Sequence, residues 1–254
     1  MRTCIFCNGT VITGEHAWPR WILRSVVGRQ QQTHIEAQLG PERLPKLWRG
    51  SEIKVKYVCS SCNNGWMSEL ESLVRRIIGP LVADLSIRLN HADQWLMSIW
   101  SLKTAMVFEC TNPTKDWFYS GEDRQELVQS ISIPADTTIW IGRLSGDSPL
   151  SGEGRKLFCD PRHASPFSGG YVSTFGVGRL AIQILTTRKR PGFEQVRTTV
   201  HLKRGPWGRL LTQIWPITKT TVRWPPAASF SRSGISLDEL CERFIPTRRA
   251  MTER

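Results

Sequence analysis

The chain has 254 residues, 40% of them hydrophobic, and a formal net charge of +12 at pH 7. That length allows one large domain or two smaller ones around an ordinary buried core. No stretch approaches the roughly 20 uninterrupted apolar residues of a membrane span; the most apolar, 95–108, is short and carries Lys103. The first cysteine stands at residue 4, which leaves no room for a signal peptide. The cytoplasm, where thiols stay reduced, is therefore the expected compartment. Charge is uneven: residues 1–80 carry +5, 81–142 carry −4 and 143–254 carry +11. Basic ends flanking an acidic middle suit a polyanionic partner, most simply nucleic acid, although a solvated cationic surface has the same signature.

In chain order, Cys4 and Cys7 with the β-branched run Thr10-Val-Ile-Thr13, punctuated by Gly9 and Gly14, predict a metal knuckle on a tight hairpin. Pro19 starts a short helix over 21–27. Residues 28–50 are polar and read as a loop. Residues 53–58 alternate apolar and charged side chains, a half-exposed strand that runs into Cys59. A helix over 63–78 should follow, preceded by a turn at Asn63-Asn64-Gly65-Trp66 and ended by Gly79-Pro80. Ser68 and Glu71 have capping-box spacing. A second helix over 92–110 places Trp95, Ile99, Leu102, Met106 and Cys110 on one apolar face. A third runs from about 122 to before Pro134. Short strands are then predicted at 137–144, 156–159, 171–175, 179–187, 196–203, 210–217 and 220–224, and a last helix at 236–244 opens with the capping box Ser236 to Glu239.

The spacing of the cysteines carries the strongest chemical signal. Cys4/Cys7 and Cys59/Cys62 are two Cys-x-x-Cys pairs, and four thiolates complete the tetrahedral shell of a structural zinc ion. The intervening stretch 8–58 is long, but closure entropy grows slowly with loop length and metal binding offsets it. A redox pair would occur once, at a strand-to-helix junction of a parallel fold. The remaining cysteines, Cys110, Cys159 and Cys241, are isolated and suit apolar packing. Knuckle, hairpin, strand, knuckle and helix follow in the order of a treble-clef zinc finger. The predicted class is α+β, with a zinc module over 1–80 joined to a helical segment and an antiparallel sheet body over 81–254.

Cys4-Ile-Phe-Cys7, Glu15-His16-Ala-Trp-Pro19 and Cys59-Ser-Ser-Cys62-Asn63 together resemble the zinc-stabilised HNH (His-Me finger) endonucleases, over about residues 1–75. The resemblance implies a ββα-metal site, a divalent ion (Mg2+ or Mn2+) separate from the zinc, and cleavage of DNA. It makes His16 the general base toward water, a task histidine side chains commonly perform, and makes Glu15 and Asn63 the oxygen ligands of the catalytic ion. Glu stands at position 15 where Asp is commoner, and no basic residue follows Asn63 closely. These two features support an alternative, a zinc finger that binds nucleic acid without cutting it. A third reading is a structural or partner-binding zinc protein.

Lys54 and Lys56 share one face of the strand entering the second knuckle and are the candidate phosphate contacts. Trp207, between Arg204 and Arg209, could stack on a base but fits better as the pin of a hairpin turn. Arg188-Lys-Arg190 with Pro191-Gly192 reads as a solvated basic turn. Trp66, like Trp95, Trp100, Trp140 and Trp215, reads as core. Histidines His34 and His91 have no evident place at the site.

Overall fold

A computed structural model describes residues 2–26, 53–112, 117–158, 167–189, 205–230, 240 and 243–244. Outside these lie the loop expected over 28–50 with His34, the turn residues 190–192, the strand expected over 196–203, Arg204, the capping residues Ser236 and Glu239, Cys159 and Cys241.

The first strand, β1 (Ile12–His16), begins later than expected because the Ile12 N–H turns back onto the Thr10 carbonyl at 3.0 Å. It pairs antiparallel with β2 (Lys54–Cys59), with a register slip between Thr13 and Glu15 that sets one extra β2 residue opposite Gly14. Between them α1 (Arg20–Val26) starts on Pro19, whose carbonyl accepts the Ile22 and Leu23 N–H groups. Beyond β2 the chain turns directly into α2 (Ser60–Cys62), a π-helical turn (Asn63–Met67) and α3 (Ser68–Val82). The turn expected at 63–66 is thus a wide helical turn, non-helical only at Gly65. Ser68 continues the helix and caps nothing, so the capping box expected at Ser68 and Glu71 does not form.

The helix also runs through Gly79-Pro80 to Val82. A proline there removes one helical hydrogen bond and crowds the carbonyl four residues back, a cost of about 3 kcal/mol. Leu81 and Val82 are both buried by the extra turn, and each such side chain contributes roughly 1.5–3 kcal/mol. Burial outweighs the proline, and the helix stops at Ala83, ahead of Asp84 in the left-handed region.

Helix α4 (His91–Glu109) follows a short strand, β3 (Ile87–Leu89). Asn90 caps it: its side chain accepts from Asp93 N–H at 2.9 Å while the Asp93 carboxylate accepts from Asn90 N–H at 3.2 Å. The expected single apolar face is not what forms. Every residue from Met97 to Glu109 is buried, whereas Trp95 is 36% exposed. α4 is therefore a central helix, covered on all sides, and its serines satisfy themselves by bonding back to carbonyls one turn earlier. α5 (Gly121–Gln129) is capped in the same way by Ser120.

The strand-rich remainder is antiparallel, as expected, but the predicted short strands merge. β4 (Thr137–Phe158) and β5 (Phe167–Lys189) are two long strands pairing along most of their length, with irregular register between Arg143 and Ser151. After α6 (Trp207–Leu210), strand β6 (Leu211–Trp215) adds to the other edge of β4, giving the order β5-β4-β6. β7 (Val222–Trp224) pairs with β3. The fold is α+β. One continuous apolar cluster reaches from Cys4 through α3, α4 and the sheet to Trp224, so the core spans both sides of residue 80. Trp18, just after β1, packs edge-on against Phe175 of β5 at 5.3 Å and lies beside Trp100 of α4.

Candidate metal centre and the residues beside it

The two knuckles meet because β1 and β2 pair and their ends are tied together. Ile5 N–H bonds the Tyr57 carbonyl at 2.9 Å, and Ser60 N–H bonds the Val11 carbonyl at 2.9 Å. In the first knuckle Asn8 takes a left-handed conformation (φ 63°), and Cys4 N–H closes the turn onto Gly9 at 2.8 Å. In the second, the Cys62 N–H points at Cys59 Sγ, 3.4 Å away. The Sγ atoms of Cys4, Cys7, Cys59 and Cys62 all lie within 4.8 Å of one another. Among the described residues this is the group of histidine, cysteine and acidic side chains that converges closely enough to hold a metal ion. A Cβ on Gly9 would approach Cys7 Sγ at 3.3 Å and Cys59 Sγ at 3.4 Å, so a glycine is what lets the backbone pass so near the thiols.

The thiols are electrostatically unequal. Burial opposes ionisation at Cys59, but the Cys62 N–H and the neighbouring thiols outweigh it and bring Cys59 down to about 7. Burial pushes Cys7 and Cys62 up, against the Gly9 backbone bond at the first and the Trp66 indole at the second. One thiol is thus ready to ionise at neutral pH, and a cation at the centre would draw off the other protons. Trp66 packs edge-on against Phe6 at 5.3 Å, in keeping with a core role.

The other predicted site residues occupy the surfaces that the knuckles join. Asn63, first residue of the π-helical turn, reaches back to β1, where its Nδ2 donates to Thr13 Oγ1 at 3.2 Å; Thr13 Oγ1 in turn donates to the Val58 carbonyl at 3.3 Å. Helix start and strand are therefore stitched together two residues from Glu15. His16 is half-buried, and its Nε2 accepts from Arg20 Nε at 3.3 Å. Glu15 points the other way, as successive strand residues do. It is only 4% exposed and lies 4.0 Å from the Nζ of the wholly buried Lys103 on α4. That Nζ also donates to Glu71 Oε1 at 2.9 Å. Burial pushes the Glu15 carboxyl up to about 7, with Lys103 opposing and Glu71 reinforcing the rise.

Glu71, Lys103 and Thr13 were not anticipated. Only Lys103 left a trace in the sequence: a lone cation inside the apolar run 95–108 is rarely fully buried without a carboxylate partner. Lys54 and Lys56 are both exposed on β2, on the side expected for them. The distant basic candidates are engaged elsewhere. Arg188 pairs with Asp123 and covers the Phe118 ring, and Lys189 Nζ lies 3.2 Å from Asp136. Trp207 is 8% exposed and packs in a second, smaller apolar cluster, where a Cβ on Gly205 would strike its indole at 2.7 Å. It is the first residue of α6 and is not an open stacking platform. His91 is the exposed first residue of α4. Cys110 is buried, and its thiol donates to the Met106 carbonyl.

No protein-family model, curated protein or solved structure matches the chain.

Proposed function

We propose that this protein is a metal-dependent endonuclease of the HNH kind, hydrolysing phosphodiester bonds in DNA, with its N-terminal residues forming a treble-clef zinc module. The observation that supports it most is the Asn63–Thr13 bond, which ties the helix start to β1 beside the four-thiol centre and so brings Asn63 to the strand that carries Glu15 and His16. Four sulfurs within 4.8 Å suit zinc, whose bonds of about 2.3 Å to sulfur set a tetrahedral shell. Zinc is the structural ion here, holding strand and helix in register.

His16 is the general base. Arg20 Nε donates to its Nε2 at 3.3 Å, and that bond must open for the same lone pair to take a proton from water. Glu15 and Asn63 offer oxygen donors, the type a hard divalent cation takes. Burial pushes the Glu15 carboxyl up to about 7 although Lys103 stands beside it, and a divalent cation there would favour its ionised form. Mg2+ or Mn2+ held by these two residues would supply polarisation of the scissile phosphate. Lys54 and Lys56 contact the DNA backbone.

The test is nicking of supercoiled plasmid by zinc-loaded protein with Mg2+, Mn2+ or Ni2+. His16→Ala should slow cleavage by roughly 100-fold or more, the usual worth of a general base. Undiminished cleavage by that variant would remove His16 from the role. A second reading is a zinc finger that binds DNA without cutting, favoured by Lys103, which already places positive charge 4.0 Å from Glu15. It predicts no nicking with any of the three ions, together with a mobility shift that weakens steeply with salt as counterions compete for phosphate.

A further inference from the structure

Three elements far apart in sequence converge on one ammonium group. Lys103 sits in the middle of α4, wholly buried, with its Nζ 2.9 Å from Glu71 Oε1 of α3 and 4.0 Å from Glu15 Oε1 of β1. Two carboxylates this close together, one of them almost wholly buried, repel each other strongly, because charges in a protein interior are poorly screened. Glu71 does disfavour the ionised form of Glu15, and Lys103 favours it. The His16 main-chain N–H, next along the strand, also favours the ionised form of Glu15. The Ala17 N–H, bonded to the Ile53 carbonyl at 2.8 Å, continues the same strand end.

We propose that Lys103 is a positioning residue of the N-terminal site: its ammonium is the shared counter-charge that lets Glu15 and Glu71 stand together, and it thereby fixes the Glu15–His16 end of β1. The part of the chain beyond residue 80 then completes the site. Lys103 touches no substrate in this role and acts only through the two carboxylates. The importance of His16 rests on the nuclease reading; the charge balance around Lys103 does not.

The experiment uses the full-length, zinc-loaded protein and three variants: Lys103→Met, Glu71→Gln and the double variant. The readouts are the side-chain NMR resonances of His16, thermal melting and plasmid nicking. Lys103→Met should move the His16 resonances, lower the melting temperature and slow nicking by at least about tenfold. Removing the Glu71 charge as well should restore part of each loss, because the repulsion between the two carboxylates is gone while Glu15 still lacks its cation. Should Lys103→Met fail to fold, the double variant is expected to fold and melt cooperatively. Unchanged His16 resonances in folded Lys103→Met, or a double variant as impaired as the single one, would reduce Lys103 to a packing residue and overturn the proposal. If the parent protein does not nick DNA, the nuclease reading falls, while the resonance and melting comparisons still decide the role of Lys103.

Discussion

At the scale of single residues, the buried charges are where stability becomes a function of pH. Glu15 has a folded-state pKa of about 7, above the ordinary value near 4.3 for an exposed glutamate. The folded state then binds more protons than the unfolded one between those values, so stability contributed at low pH is lost as pH rises through about 7. Urea unfolding at pH 5 and pH 8 should show this loss, on the order of 2–3 kcal/mol, and Glu15→Gln should flatten it. Glu109 and Arg124 form a second buried pair, at 2.8 Å, with Glu109 also accepting the Phe118 and Tyr119 N–H groups. Arg124→Met leaves that carboxylate without its cation and should cost about 3–5 kcal/mol, read from the shift in urea midpoint. Such pairs are only half legible in a sequence. Lys103 inside an apolar run announces that a carboxylate must come to it, but which one depends on a helix and a strand more than 30 residues away. The four cysteines were legible because the spacing within each pair is itself the geometric requirement.

At the scale of elements, local chemistry marks termini and breaks, but it decides them only where burial does not oppose it. The caps at Asn90 and Ser120 stop the backward growth of α4 and α5 within a residue or two of the expected starts. Gly79-Pro80 is a local stop signal that α3 overrides, because Leu81 and Val82, the next two residues, are buried in the core. The sheet differs for a similar reason. Glycines at 169, 170, 176 and 178 suggest breaks between short strands, yet the backbone continues through them as β5. Gly178 shows why: its φ is +53°, and a Cβ there would lie 2.6 Å from the Val82 carbonyl oxygen at the end of α3. Gly178→Ala should therefore destabilise the protein by about 2–4 kcal/mol, combining left-handed strain with a backbone clash. A melting temperature within a degree or two of the parent would show that α3 can yield there.

At the scale of the whole molecule, the four-thiol site and the sheet share one apolar cluster. The knuckles contribute Cys4, Cys59 and Cys62 to the same apolar cluster as α4 and β5, so the four-thiol site and the distant core should lose structure together. Stripping the metal with a strong chelator is expected to lower the melting temperature of the full chain and to broaden tryptophan signals as far away as Trp224, since metal-binding energy is folding energy in such sites. Unaltered melting after verified metal loss would leave the cysteines with no structural task. The α+β class was legible because periodicity and turn residues are local. The shared core was not, because Trp18 meeting Phe175 is a contact that no local pattern encodes.

The all-round burial of α4 has a consequence in time as well as in space. From Met97 onward this helix has no solvent face and cannot open by peeling away from a surface, so those amides can meet solvent only when the layers around them separate. Hydrogen exchange of the amides from Met97 to Phe108 should therefore be the slowest in the chain and should track the global unfolding free energy as denaturant is added, while the amides of α1 exchange by cheaper local opening. The lysine that faces Glu15 and Glu71 would then stand on the longest-lived element of the fold.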